Sequence, residues 1–308
     1  MEIRIASRES RLALWQAEHV KAKLLALPGV SAVQIIGMTT TGDQIVDRSL
    51  AKVGGKGLFV KELEKALLAG EADLAVHSAK DVPMRQEFGL QLIGFMAREN
   101  PHDAFISNDY ACLAELPAGA IVGTSSLRRQ AQILAAHPHL RIEPLRGNLD
   151  TRFRKLEEGQ YAAMILAFAG VHRLGMGTRI REILSPAVCL PAAGQGALAL
   201  EIGADRADLQ AVLQSLVDPH STWAIEAERT VARELGGSCQ VPLAAYATLS
   251  PDEHLTLTAR VASVDGRETL QAQAVGCACD GEAIALKVVE RLREQGAERL
   301  IAQALGPV

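Results

Sequence analysis

Short apolar runs alternate with amphipathic segments from Ile3 to Leu174, and no other feature constrains the fold as tightly. Ile3 to Ala6 reads as a strand. Ser10 stands where a helix N-cap belongs, ahead of a stripe of Ala13, Ala17, Val20, Leu24 and Leu27. Val33 to Met38 is a second strand, and a helix with Phe59, Leu63, Ala66 and Leu67 inward ends at Gly70. Asp73 to Val76 is a short buried strand running into His77-Ser78-Ala79-Lys80-Asp81-Val82-Pro83. The pattern restarts near Asp103. Ala120 to Gly123, Arg141 to Glu143 and Ala162 to Leu166 are strands. Thr124-Ser125-Ser126 caps a helix over Leu127 to Ala136, a second helix ends near Gly159 and a third runs through Leu174. Alternation of this kind requires sheets rich in parallel strands with right-handed crossovers.

The small-residue segment Ala192-Ala193-Gly194-Gln195-Gly196 reads as a crossing between domains, and beyond Pro219 the character changes. A helix from Trp223 to Leu235 is ended by Gly236-Gly237. Strand patterns follow at Ala244 to Thr248, Leu255 to Val261 and Thr269 to Val275, and a closing helix spans Glu282 to Glu294. This is a small α+β domain with an antiparallel sheet. No internal repeat stands out. At 308 residues the chain has room for two or three domains.

With 32 Lys and Arg against 36 Asp and Glu, the net charge is −4, which argues against a general nucleic-acid binder. No apolar run approaches the roughly 20 residues of a membrane span, and the N-terminus has no signal-peptide core. Five cysteines without a C-x-x-C pair fit a reducing cytosol and argue against zinc. Cys277 and Cys279, two apart in a strand-like segment, are expected to share a face and to pack.

Cys239, in Gly236-Gly237-Ser238-Cys239-Gln240-Val241-Pro242, follows the glycine stop of a helix. The open backbone there can leave a thiol accessible, and a thiolate is a strong nucleophile. A small apolar gap-filler is the plainer reading of any one cysteine. Arg128, Arg129, Arg146, Arg152, Arg154 and Arg173 fall in one α/β unit, several directly after strand ends, where such sheets place ligands. Thr124 and Ser126 add hydroxyls at a helix start beside Arg128 and Arg129, an arrangement suited to an anion. Arg146-Gly147-Asn148 repeats it one strand later. A solvated face explains any single arginine, whereas the repeated placement points to a polyanion carrying carboxylates or phosphates. Lys80-Asp81 follows a buried strand, so Asp81 can stabilise a ligand cation, or simply cap the turn before Pro83. Lys52-Val53-Gly54-Gly55-Lys56-Gly57 lacks phosphate-loop spacing and reads as a mobile lid. Gly194-x-Gly196-x-x-Ala199 has no strand-to-helix context for a dinucleotide.

The chain closely resembles the hydroxymethylbilane synthase (porphobilinogen deaminase) family along essentially its whole length. The resemblance rests on Ile5-Ala6-Ser7-Arg8-Glu9-Ser10, Leu14-Trp15-Gln16, Gly54-Gly55-Lys56-Gly57-Leu58-Phe59 and His77 to Pro83. It continues through Gly123 to Arg129, Leu145 to Asn148, Leu190 to Gly196 and Cys239 to Pro242. It implies two periplasmic-binding-protein-like α/β lobes with parallel-rich mixed sheets, 1–98 with 195–216 and 99–194. A C-terminal α+β domain, 217–308, would have a three-stranded antiparallel sheet and carry the cysteine. It implies a dipyrromethane cofactor joined to Cys239 by a thioether, a primer onto which four porphobilinogen molecules condense with loss of ammonia. Water then releases the linear tetrapyrrole hydroxymethylbilane. It places Asp81 at the pyrrole N–H groups, Arg8, Ser78, Lys80, Arg128, Arg129, Arg146, Arg152 and Arg173 along the cleft, and Lys52, Lys56 and Phe59 on the covering loop. A cytoplasmic monomer with no metal, nucleic acid or membrane partner is expected. Arg11 and Ser238 depart from the family's proline and glycine, and Ala79 from its commoner methionine. The rival reading is a non-catalytic two-lobe anion-binding protein, which needs neither the nucleophile nor the Lys80-Asp81 pair.

Overall fold

The computed structural model describes residues 1–44, 57–236 and 241–306. The chain divides into two compact units, Met1–Glu99 with Ala197–Thr222, and Asn100–Gly196 with the residues from Trp223 onward. The first unit opens with β1 (Glu2–Arg8) and α1 (Arg11–Leu25), and the Ser10 side chain accepts from the Ala13 N–H as its cap. β2 (Ala32–Met38), α2 (Lys61–Leu68), β3 (Leu74–Ser78) and β4 (Leu90–Phe95) follow. Ile3, Ile5, Leu74 and Val76 pack with Ala17, Val20 and Leu24 of α1. Their neighbours Ala6 and Ala75 pack with Leu63, Ala66 and Leu67 of α2. Successive strand residues point to opposite faces, so an apolar run covered on both sides is what a parallel sheet between helices demands. Leu27 lies past the end of α1, half-buried against the same core.

The second unit contains β5 (Asp103–Ile106), β6 (Ile121–Gly123), α3 (Leu127–Ala136), β7 (Arg141–Glu143), α4 (Leu149–Glu157), β8 (Ala163–Ala167), α5 (Phe168–Arg173) and β9 (Glu182–Ile183). The chain returns to the first unit as β10 (Leu198–Gly203) and α6 (Ala207–Leu213). The sheet orders are β2-β1-β3-β10-β4 and β7-β6-β8-β5-β9. In each, a central strand pairs in parallel with two neighbours, and a strand antiparallel to its surroundings follows. The mixed, parallel-rich character matches expectation, and the two sheets repeat a topology that no sequence repeat announces. In β8, Ala163 and Ile165 face Ile133 of α3, whereas Met164 and Leu166 face Phe153 and Leu156 of α4.

From α7 (Pro219–Glu234) the chain leads to β11 (Leu243–Leu249), β12 (His254–Ala262) and β13 (Thr269–Cys277), an antiparallel three-stranded sheet. α8 (Gly281–Glu294) and α9 (Ala297–Leu305) follow. Leu255, Leu257, Ala259 and Val261 share one core with Ala227 and Val231 of α7, Ile284, Val288 and Leu292 of α8, and Leu300 of α9. Full burial of each large aliphatic side chain contributes about 1.5–3 kcal/mol. Among the described residues no helix is long and apolar enough to cross a membrane.

The β12–β13 turn lies against α3. Gln130 Nε2 donates to the Val264 carbonyl at 3.3 Å. Gly266 has φ +73°, and a Cβ there would stand 2.5 Å from the Ala135 nitrogen and 2.6 Å from the Ala131 oxygen. Both are backbone atoms of a packed helix and cannot turn aside. Gly266→Ala therefore combines left-handed strain of about 1–3 kcal/mol with a backbone collision. A lowered urea midpoint is expected, and an unchanged midpoint would show that the turn does not need this approach.

Candidate active site

In the first unit the expected residues collect at the C-terminal edge of the parallel strands. β1 and β3 run parallel with Ile5 opposite Leu74 and Ala6 opposite Ala75. Arg8 and Ser78, the last residues of those strands, therefore emerge on one edge. The Arg8 guanidinium lies 4.3 Å from the centroid of the Phe59 ring, in cation–π geometry. Ser78 Oγ accepts from Gln16 Nε2 at 2.9 Å. The chain then makes a single 3₁₀ turn, Ala79–Asp81, with Ala79 buried and Lys80 and Asp81 half-buried. The Ala79 N–H donates to the Ala197 carbonyl at 3.0 Å, tying the turn to the start of β10. Beneath it His77 Nε2 meets Glu201 Oε2 at 2.9 Å, both side chains almost fully buried. Burial, reinforced by Glu201, holds the carboxyl of Glu64 on α2 above its ordinary range. Lys52, Lys56 and Cys239 lie outside the described residues.

In the second unit Thr124 and Ser126 follow β6, Arg146 and Arg152 follow β7, and Arg173 ends the helix after β8. All three strands are mutually parallel, so these groups share the C-terminal edge. Ser126 caps α3 by accepting from the Arg129 N–H at 3.5 Å, and Thr124 Oγ1 accepts from the Ser126 N–H at 3.2 Å. Asn148 caps α4 through the Thr151 N–H at 2.9 Å. Gly147, at φ +104°, has the Thr151 side chain where a Cβ would go, 2.7 Å away. Arg146, Arg152 and Arg173 are half-buried. Arg152 Nε donates to the Gly147 carbonyl at 2.9 Å, and Arg173 donates to the Gly196 carbonyl at 2.6 Å.

Arg128 and Arg129 are placed differently. Both are buried, and both converge on the carboxylate of Asp103, which is fully enclosed. Arg128 donates to Asp103 Oδ2 at 2.7 Å and to the Leu190 carbonyl at 2.6 Å. Arg129 donates to Asp103 Oδ1 through Nε at 3.0 Å and a terminal nitrogen at 2.7 Å, and to the Ile165 carbonyl at 3.1 Å. Gln195 Nε2 adds a bond to Asp103 Oδ1 at 2.9 Å, and the Cys189 thiol donates to Oδ2 at 3.2 Å. Burial alone would raise the Asp103 carboxyl, but the two guanidiniums hold it far below the carboxylate range. Burial, with Asp103 beside it, pushes the Cys189 thiol up to about 12. The nearest carboxylate to the Arg128–Arg129 pair is thus the protein's own.

Sequence reasoning missed Asp103, Gln195 and Glu228. Glu228 on α7 is enclosed and accepts from the Gly194 N–H at 2.7 Å and the Ala247 N–H at 2.8 Å. Its only signal was an acid among Ala224, Ile225, Ala227 and Val231, all of which are buried. The packing role expected for Cys277 and Cys279 is not what the structure shows, since both are exposed. Cys277 follows the outward set of β13, with Gln273 and Val275, while Ala272 and Ala274 point in. Among the described residues no cluster of His, Cys, Asp and Glu could hold a metal ion.

Hydroxyls and guanidiniums at the parallel-strand edge of an α/β sheet are groups suited to multiply charged anions. Residues 3–211 match the family model "Porphobilinogen deaminase, dipyromethane cofactor binding domain" and residues 222–294 match "Porphobilinogen deaminase, C-terminal domain". The porphobilinogen deaminase of Burkholderia vietnamiensis is 59% identical over 96% of this chain and 90% of that protein. That of Chromobacterium violaceum is 57% identical over 99% of this chain and 98% of that protein. A periplasmic substrate-binding protein of an ABC transporter from Coxiella burnetii overlaps 71% of this chain and 93% of that one, at 15% identity and a TM-score of 0.46. The chain belongs to the porphobilinogen deaminase family.

Removing the carboxylate that two buried guanidiniums share leaves both uncompensated, which typically costs about 3–5 kcal/mol. Asp103→Ala should lose stability on that scale in urea unfolding; a loss under about 1 kcal/mol would deny Asp103 this role. Because folding depresses the Asp103 carboxyl, its contribution is complete above the ordinary carboxylate range and fades as pH falls through the depressed folded value. Asp103→Asn, which cannot ionise, should show a shallower loss of stability in acid.

Proposed function

We propose that this chain condenses four porphobilinogen molecules head to tail, releasing ammonia at each step, and frees the linear tetrapyrrole hydroxymethylbilane with water. The observation that carries the reading is the pair of family matches spanning residues 3–211 and 222–294. The alternative, a non-catalytic anion-binding protein, leaves the cofactor-binding match without a purpose.

The donor set suits a dipyrromethane. Each pyrrole bears an acetate and a propionate, and the strand edge of the second unit offers Arg146, Arg152 and Arg173 with a Ser126-capped helix start. The dipyrromethane, when bound, supplies the pyrrole α-carbon that serves as nucleophile. We assign its attachment to Cys239, its carboxylates first to Thr124, Ser126, Arg128 and Arg129, and those of the growing chain to Arg146, Arg152 and Arg173. Arg128 and Arg129 are already neutralised in part by Asp103, so their contribution is positional as much as electrostatic. Guanidinium forks suit this work because a carboxylate is planar and accepts two parallel N–H bonds.

On the first unit, Asp81 accepts the pyrrole N–H and stabilises positive charge as ammonia departs. Its 3₁₀ turn is held by the Ala79–Ala197 bond, so the carboxylate is set in place before substrate arrives. Arg8, Ser78 and Lys80 bind carboxylates beside it, and Phe59 belongs with Lys52 and Lys56 to a covering loop. Residues 1–98 with 195–216 and 99–194 act as two lobes, and 217–308 as the domain carrying Cys239. The protein works as a cytoplasmic monomer without nucleic acid or membrane, in keeping with its net charge of −4.

Peptide mapping of the purified protein should find two linked pyrrole units on Cys239, and Cys239→Ala should fold without them. An adduct on Cys112, Cys189, Cys277 or Cys279 would overturn the assignment. Asp81→Asn should fold normally yet lose about 100- to 1,000-fold in turnover, the usual cost of one preorganised group. Near-normal turnover of that variant would remove Asp81 from the chemistry.

A further inference from the structure

One turn along α3 from Arg128, the buried side chain of Gln132 pairs with both backbone groups of Leu190. Its Oε1 accepts the Leu190 N–H at 2.9 Å, and its Nε2 donates to the Leu190 carbonyl at 3.1 Å. The same Nε2 donates to the Arg128 carbonyl at 3.2 Å. A guanidinium from the C-terminal sheet completes the set. Nη1 of Arg260, on β12, donates to Gln132 Oε1 at 2.7 Å and to the Ala187 carbonyl at 3.2 Å. Arg260 is aimed by its cross-strand neighbour Gln271 on β13, whose Oε1 accepts from Nε at 3.0 Å and from Nη2 at 2.7 Å. Only one orientation of the Gln132 amide serves these partners, because turning it over would set its NH2 group against the Leu190 N–H and Arg260.

The Leu190 carbonyl held in this way is the one that receives Arg128 Nη1 at 2.6 Å. Among the described residues every bond of the Arg128 guanidinium falls on that nitrogen, to Asp103, Leu190 and the Cys189 sulfur. Its Nε–Nη2 edge, a fork that matches a carboxylate, is left for a ligand. Arg129 differs, since its Nε and Nη2 are both spent on Asp103. We propose, on the reading that Arg128 holds a dipyrromethane carboxylate, that Gln132 and Arg260 are positioning residues for that contact. They fix the Leu190 carbonyl, and that carbonyl and Asp103 together engage Nη1. The rotation of the guanidinium, and with it the direction of its open edge, is thereby set. On the same reading the cofactor is tethered in the C-terminal domain. Gln132 then links the domain that holds its covalent end to the guanidinium that holds its carboxylate.

The test uses full-length protein produced in cells that make no porphobilinogen, then incubated with that compound. The gain of two pyrrole units is followed by intact mass on the folded fraction, and urea midpoints are measured alongside. Wild type should load and Arg128→Leu should not. Arg260→Leu should load roughly tenfold more slowly, the weight of one hydrogen bond to a charged group. Its urea midpoint should stay near that of wild type, because Gln132 Oε1 keeps the Leu190 N–H. Arg260→Lys can still donate to Gln132 and should recover most of the rate. A merely structural role would lower the midpoint and leave loading of the folded protein unchanged, which would overturn the proposal. Equal losses in Arg260→Leu and Arg260→Lys would do the same. Arg128→Leu that loads like wild type would overturn the assignment of a carboxylate to Arg128, and the proposal with it. Wild-type protein that never loads would instead overturn the dipyrromethane reading itself.

Discussion

A carboxylate with no access to water anchors the second unit. Asp103 opens β5, and its two oxygens gather Arg128 and Arg129 from α3, Gln195 and the Cys189 thiol. Burying an ion costs several kcal/mol unless its lone pairs are filled, and here five donor bonds fill them. The reverse holds as well. Two guanidiniums at the first turn of a helix could not be enclosed without a countercharge. Pairing therefore sets the rotation of α3 against β5 and β8, and through Leu190 and Ile165 it sets the neighbouring backbone.

Asp103 stands opposite Ala167, at the edge of the sheet where β8 ends. Each of the two five-stranded sheets has a parallel trio whose C-terminal ends open into turns or helix starts. Side chains after β6, β7 and β8 emerge together although they are far apart in sequence, as do those after β1 and β3. Helix caps by Ser126 and Asn148 fix where each loop ends and each helix begins, so the guanidiniums that follow inherit a defined starting geometry.

Much of this was legible in the sequence, because period and caps are local signals. α3 was expected over Leu127 to Ala136 and spans Leu127–Ala136; β7 was expected and found over Arg141–Glu143. β10 was not legible, since Leu198 to Gly203 is a short apolar run behind a glycine-rich segment and becomes a strand only through β3 and β4. α9 was missed because Gly296 ends one helix and the next begins immediately after it. Asp103 could not have been singled out, since nothing adjacent in sequence marks an acid whose partners lie about 25 to 92 residues away. Cys277 was misjudged because spacing does not show which face of a strand is covered, and Cys279 because the strand ends at Cys277 and a 3₁₀ turn follows. The covered face was decided by Ala272 and Ala274, which point toward α8.

The segment from Gly194 to Gly196 shows how structural and functional duties merge. Glu228 accepts the Gly194 N–H, Asp103 accepts from Gln195, and the Gly196 carbonyl accepts from Arg173. Three consecutive residues are thus held by three charged side chains from a long helix, a strand and a helix end. Two of those anchors are anions that pair with amide N–H groups, and the third is a cation that pairs with a carbonyl. Arg173 is therefore part of the scaffold, because its position depends on a backbone that Asp103 and Glu228 also fix. A lysine there would keep the charge but lose the planar array of donors, through which one side chain can bind a carbonyl and present further N–H groups in a fixed direction. Arginine is the side chain that can serve a scaffold and still offer N–H groups beyond it.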